Sequence, residues 1–217
     1  MNYRITNIQY DTKQVIIHLE SDTQNNVEQL VLHTEVYVRQ PLIIGEVIDQ
    51  KRRSQYLHSN RIFDIEQVAL KLISRRDISK YTFYTKMITK YPDEKSLINQ
   101  IIKRYQSNGW LDDQRYASSI VSKGLKQYHG EQRIRLALQK AGFNEEEMQQ
   151  YFPSNMEEIS FENARALAKK KLKGLEVINE KAKRSVAFRL QTMGYSSSTI
   201  VHILQNLQQI QTDDLEN

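Results

Sequence analysis

Three sets of side chains in this chain could carry chemistry, and each points to a different kind. Asp112-Asp113 is a paired carboxylate with Arg115 close behind it, a grouping that could share a proton in acid–base work. Five histidines, His18, His33, His58, His129 and His202, could ligate a metal, but they are scattered without ligand spacing. No glycine-rich phosphate loop or nucleophile motif accompanies them. The third set is cationic and recurs along most of the chain: Arg75, Arg76, Lys103 and Arg104, then Arg115, Arg133 and Arg135, then Lys169, Lys170, Lys173, Arg184 and Arg189. Cations repeated over such a length suit a polyanion, because each phosphate they neutralise releases counterions and makes binding fall with salt. Helix capping accounts for the aspartate pair better than acid catalysis does. We therefore expect no catalytic, cofactor-binding or metal-binding residues, and a binding function in place of an enzymatic one.

The distribution of charge sharpens this expectation. Net charge is +5, yet residues 1–50 hold three basic against seven acidic side chains, net −4. Residues 51–217 hold 28 basic against 19 acidic, net +9. Such segregation suits an acidic partner for the larger part, either nucleic acid or an acidic protein surface. The chain has no cysteine, which excludes disulfides and thiolate sites and fits a reducing compartment. Met1 to Tyr10 lacks an apolar signal core, and no stretch approaches the ~18 apolar residues of a membrane span. A cytoplasmic monomer without a membrane partner is expected.

Two kinds of element must position these cations. Residues 1–52 carry short β-branched runs, Val15-Ile16-Ile17-His18-Leu19, Leu30-Val31-Leu32 and Val36-Tyr37-Val38, separated by polar turns, and should form a small β-rich segment. Lys51-Arg52-Arg53-Ser54 marks a charge shift, after which helical periodicity takes over. Residues 53–109, 110–155 and 156–210 then read as three helical repeats of three helices each, followed by an acidic tail at 211–217 that should be disordered. The whole is expected to be mostly α, an elongated curved array of tandem repeats.

The repeats are clearest in the second and third units. Ala117, Ile120, Val121 and Leu125 make one apolar stripe, and Ile134, Ala137, Leu138 and Ala141 the next. Asn144 and Glu147 have the layout of a capping box. In the third unit Ser160, Asn179 and Ser196 stand where helix caps are needed, with Ala164, Leu167, Ala168 and Leu175 on the first helix. Aligning Gly142 with Gly194 superposes Ile134 on Val186, Leu136 on Phe188, Leu138 on Leu190 and Phe143 on Tyr195. The first unit is looser, with Tyr91-Pro92-Asp93 in place of the glycine turn.

The junction Gly109-Trp110-Leu111-Asp112-Asp113-Gln114-Arg115-Tyr116-Ala117 ends one helix and starts another. Gly109 can take the left-handed conformation that closes a helix, and Asp112 or Asp113 can cap the next. Trp110 and Leu111 should pack the second repeat on the first. Arg115, three residues after Asp112, can pair with a carboxylate or contribute to binding. Arg133 and Arg135, two apart on one helix, should point in different directions, whereas Lys169 to Lys173 is dense enough to cover most of a helix surface.

This stretch, followed by Gly130, Arg133, Ile134, Leu138 and Gly142-Phe143, resembles the central signature of the bacterial RecX regulators of the RecA recombinase. Leu72, Ser79 and Phe83 fall where that family has its first-repeat pattern, and the segment before residue 50 resembles the longer members found in Gram-positive bacteria. Thr82 stands where an acidic residue is common, and Lys90-Tyr91 where a glycine turn is common. The resemblance implies a non-enzymatic modulator that binds in the groove of the RecA–DNA filament. It would limit filament extension and lower strand exchange, ATP hydrolysis and repressor cleavage. The alternative is a general DNA-binding helical protein, in the manner of a helix-turn-helix regulator, acting without a recombinase.

Overall fold

Alternation of apolar and polar residues in the first fifty positions builds one antiparallel sheet, because a strand with one buried face needs every second side chain apolar. In the computed structural model, which describes residues 1–22, 27–174 and 177–212, the strands are β1 (Asn2–Tyr10), β2 (Gln14–Ser21), β3 (Val27–His33) and β4 (Val47–Asp49), in the order β3-β2-β1-β4. Tyr3 and Ile5 of β1, Val15, Ile17 and Leu19 of β2, Leu30 and Leu32 of β3 and Ile48 of β4 form the buried face. Val36-Tyr37-Val38, expected as a strand, lies in a short helix, α1 (Thr34–Arg39). Tyr37 joins the sheet's core and donates its hydroxyl to the Leu42 carbonyl at 3.0 Å, so packing overrides the β propensity of its neighbours.

The change of composition at Lys51-Arg52-Arg53 is the first turn of α2 (Gln50–Arg75), not a linker. Asp49 caps this helix by accepting from the Arg52 amide at 2.7 Å. The helix then rivets itself to the sheet: Tyr56 enters the sheet's core, Arg53 pairs with Glu28 at 2.8 Å, and His33 pairs with Asp64 at 2.7 Å. The boundary expected at residue 52 thus falls inside a helix whose first half belongs to the sheet.

The remaining helices are α3 (Lys80–Lys90), α4 (Lys95–Ser107), α5 (Asp113–Lys126), α6 (Glu131–Lys140), α7 (Glu145–Gln149), α8 (Met156–Leu172), α9 (Glu180–Thr192), α10 (Ser197–Gln205) and α11 (Leu207–Thr212). The protein is mostly α with a small N-terminal sheet. The chain divides into two compact units. Met1–Arg76 with Met87–Arg104 forms one, and Asp77–Lys86 with the chain from Tyr105 onward forms the other. Residues of α3 therefore fall in both, where the expected divisions followed chain order.

In the second unit, α5 to α7 close around Ala117, Val121, Ile134, Leu138, Phe143 and Met148. The core of α8 to α11 gathers Ala164, Leu167, Ala168, Leu172, Val186, Leu190, Tyr195 and Ile203. Asn144 and Glu147 make the reciprocal capping box, and Asn179 and Ser196 cap α9 and α10. Ser160 does not cap α8: the helix begins a turn earlier, at Met156, and carries Ser160 in its interior. Leu172 supplies the last buried position of that helix, while Leu175 lies outside the described residues, as does the tail from Asp213. Ala137 is exposed, since α6 buries only Ile134 and Leu138.

Candidate functional site

The paired aspartates each cap a different helix. Asp112 accepts the Arg115 amide at 2.8 Å and starts α5, whereas Asp113 accepts the Lys80 amide at 2.7 Å and so caps α3, 33 residues upstream. Gly109, at φ +70°, closes the chain after α4, and the Tyr105 carbonyl accepts both the Trp110 and Leu111 amides. Leu111 is buried, while Trp110 remains half exposed with its ring 5.2 Å from that of Tyr105. Arg115 spans this junction, donating to the Gly109 carbonyl and to Asp77, both at 3.3 Å. The two carboxylates and the guanidinium each find a partner within the junction, an arrangement that builds it.

Successive repeats meet through one recurring joint. The start of the second helix in one repeat rests on the turn that ends the second helix of the next. At the first joint, buried Ser79 donates its hydroxyl to the Ala141 carbonyl at 2.6 Å, and Tyr81 covers Gly142. At the second joint, the Gly130 amide donates to the Met193 carbonyl at 2.8 Å and the Gln132 amide to the Gly194 carbonyl at 3.2 Å. Gly194, at φ +84°, lies where a Cβ would meet the Arg133 backbone nitrogen at 2.6 Å, so no other residue fits there unchanged.

The second joint gathers cations. Arg133 donates to the Thr192 carbonyl at 3.2 Å, placing its charge at the C-terminus of α9, where a helix favours a cation. Arg189 stands exposed one turn earlier on α9. Between them lies the α5–α6 turn, in which Tyr128 takes φ +58° and accepts the Tyr195 hydroxyl at 2.8 Å. The Lys170 ammonium sits 4.3 Å from the Tyr128 ring centre. Burial, and then the positive charges of Arg133 and Arg189, hold the His129 imidazole below its ordinary pKa.

The other expected residues are placed as follows. Arg135 is committed within its own repeat: it pairs with Glu131 at 2.7 Å and with Glu145, donates to Gln149 at 3.0 Å and covers the Phe152 ring at 4.9 Å. It is a brace between α6 and α7. Lys169 and Lys170 lie on α8, with Lys173 just after it, and Arg184 is exposed on α9. Arg75, Arg76, Lys103 and Arg104 belong to the first unit, where all four are exposed and Arg104 pairs with Glu66 at 2.8 Å. Tyr128 and His129 were missed in the sequence. Their only signal was Tyr128-His129-Gly130 itself, a helix break with no glycine in its left-handed position. Among the described residues no three histidine, aspartate or glutamate side chains are grouped to hold a metal ion, and no helix is long and apolar enough to cross a membrane.

No protein-family model matches the chain. Two curated relatives, each called regulatory protein RecX, are similar to it. The protein from Vibrio campbellii is 33% identical over 139 residues, 64% of this chain and 88% of the relative. That from Vibrio parahaemolyticus is 32% identical over 155 residues, 71% of this chain and 95% of the relative. Two solved structures share the fold. A crystal structure of regulatory protein RecX, at TM-score 0.60 and 19% identity, covers 94% of this chain and 99% of its own. The crystal structure of RecX from Lactobacillus salivarius, at TM-score 0.58 and 21% identity, covers 69% and 98%.

Proposed function

The chain belongs to the RecX family, and from that premise we propose that it modulates, chiefly by inhibition, a RecA-type recombinase. It does so by binding the recombinase–DNA filament in its groove and limiting extension, strand exchange and ATP hydrolysis. One observation carries the reading beyond the family name: Arg133, Arg189 and Lys170 converge on the Tyr128-His129 turn at a joint between repeats. A cationic patch placed on a repeated scaffold suits a partner that is both polyanionic and periodic. Apolar side chains hold the repeats, and the cations meet phosphate and acidic protein side chains. The protein acts in the cytoplasm as a monomer, without cofactor or catalysis.

The test is a titration of purified protein against RecA assembled on single-stranded DNA, following ATP hydrolysis and filament length by electron microscopy. Both should fall at stoichiometric excess, and the effect should weaken steeply between low and moderate salt. Unchanged ATPase and filament length would defeat the proposal. Equal affinity for bare DNA and for the filament would favour general DNA binding instead.

A further inference from the structure

The second helices of the repeats are rich in cations and poor in acids. The α3 segment Lys80–Lys90 has three lysines and no acid. In α6 and α9 the single acid is the first residue, and each is engaged within its own helix: Glu131 with Arg135, Glu180 with Lys183. The outward faces of α6 and α9 are thus free of carboxylates beyond the first turn.

Each of those two faces also presents one large apolar side chain to solvent. Leu136 is 55% exposed and Phe188 is 72% exposed. They occupy the same register, since superposing Gly142 on Gly194 brings Leu136 onto Phe188. Neither contributes to its repeat's core, which uses Ile134 and Leu138 in α6 and Val186 and Leu190 in α9. One exposed apolar residue is ordinary, but two in equivalent positions on neighbouring repeats form a pattern. Arg133 and Lys140 lie a turn either side of Leu136, and Arg184 and Arg189 flank Phe188. The joint ties the two helices together through Gly130, Arg133 and the carbonyls of Thr192 and Met193.

We infer that the outward faces of α6 and α9 form one docking surface for an acidic protein partner, with Leu136 and Phe188 as apolar anchors and the flanking arginines as the charges around them. A nucleic acid would use the cations, but an aliphatic Leu136 offers no ring on which a base can stack. A second copy of this chain would set arginines against arginines. A protein surface of acidic residues around apolar pockets matches both components, and a repeated surface matches their repetition. This rests on the filament reading above and assigns the protein subunits, not the DNA, to this face.

The experiment compares Leu136→Ser with Phe188→Ser, singly and together, in cosedimentation with RecA–DNA filaments and in binding to the same single-stranded DNA alone. Val201→Ser, at an exposed apolar position on α10, is the control, and circular dichroism checks each variant's helix content. The double variant should bind filaments about tenfold more weakly or worse, with affinity for bare DNA within about twofold of the original and Val201→Ser unchanged. Phe188→Ser alone should show much of the loss, which covers the case of a double variant that folds poorly. Unaltered filament binding, equal loss on bare DNA, or a change of oligomeric state in the variants would overturn the assignment. If the unmodified protein does not bind filaments at all, it is the filament reading that fails, and this inference falls with it.

Discussion

Replacing Gly130 with alanine tests whether the repeats are joined backbone to backbone. The residue's own conformation, φ −72° and ψ 163°, suits alanine, so no strain arises locally. On the unfolded-state side alanine is even favoured, by about 0.4–1 kcal/mol. The obstacle is across the joint. A Cβ on Gly130 would lie 2.6 Å from the Tyr195 nitrogen and nearer still to the Gly194 carbonyl, where ordinary contact begins at 3.4 Å. Main-chain atoms cannot rotate aside, so the joint must open by roughly 1 Å, an overpacking cost of about 1–3 kcal/mol. Opening also strains the Gly130–Met193 and Gln132–Gly194 hydrogen bonds, each contributing about 1 kcal/mol. The net loss should be roughly 2–4 kcal/mol, read as a lower urea midpoint by circular dichroism at 222 nm. Faster exchange of the Gly130 and Gln132 amides should accompany it. Gly109→Ala is the comparison: its Cβ would meet open space, and φ +70° alone should cost about 1–2 kcal/mol. A Gly130→Ala loss smaller than that of Gly109→Ala, or amide exchange unchanged, would refute the backbone joint.

Further outcomes follow from the charges around α6 and α9. His129 has its folded pKa below the ordinary value, so the unfolded chain takes up a proton first as pH falls. Its contribution is therefore intact above about pH 6.5 and is lost as pH drops below that through the folded value. His129→Gln should flatten this part of the stability–pH curve, and Arg189→Glu should raise the His129 pKa in an NMR titration. A His129 titrating above about 6.5 in the unmodified protein would contradict the positive field. Arg135→Glu should act on stability instead of on binding alone, because it sets a third carboxylate among Glu131 and Glu145 and removes the cation over Phe152. A loss of about 1–2 kcal/mol is expected in urea unfolding. Arg189→Glu, exposed in the last turn of α9, should cost only the helix-end term of about 0.3–1 kcal/mol, and a midpoint as low as that of Arg135→Glu would show that Arg135 is no brace.

What the sequence disclosed was whatever four or five neighbouring residues can settle among themselves. Asp112, Asn144 with Glu147, Asn179 and Ser196 cap the helices as read, because a cap needs only a side-chain oxygen and an amide two or three residues on. Family membership and a mostly helical fold behind a small sheet were equally legible, the first in the run from Gly109 to Ala117. Partners distant in sequence were not. Asp113 serves a helix 33 residues upstream, and Arg135 looks like a free cation until Glu145 and Gln149 of α7 fold onto it. The first turn of α2 read as a boundary because its charges mimic a solvated linker. Each of Arg52 and Arg53 is in fact spent on a carboxylate of the sheet unit, Glu46 and Glu28. Lists of cations therefore overstate a binding surface, and only packing separates the braces from the rest.

The joints suggest why the free cations collect where they do. The same carbonyl, that of the residue before the turn glycine, is the acceptor in both: Ala141 takes a hydroxyl from Ser79, and Met193 takes an amide from Gly130. The donor's chemistry changes while its position does not, so the acceptor at the end of a second helix organises the contact. A helix C-terminus with exposed carbonyls also attracts a cation, and Arg133 answers it by bonding to the Thr192 carbonyl. The first joint has no arginine in this role: Tyr81 fills the space beside Gly142. Positive charge at the second joint is thus partly a by-product of how repeats are docked, and a substitution at Arg133 also loosens the joint. Arg189 carries no such structural duty, which makes it the cleaner position at which to separate recognition from construction.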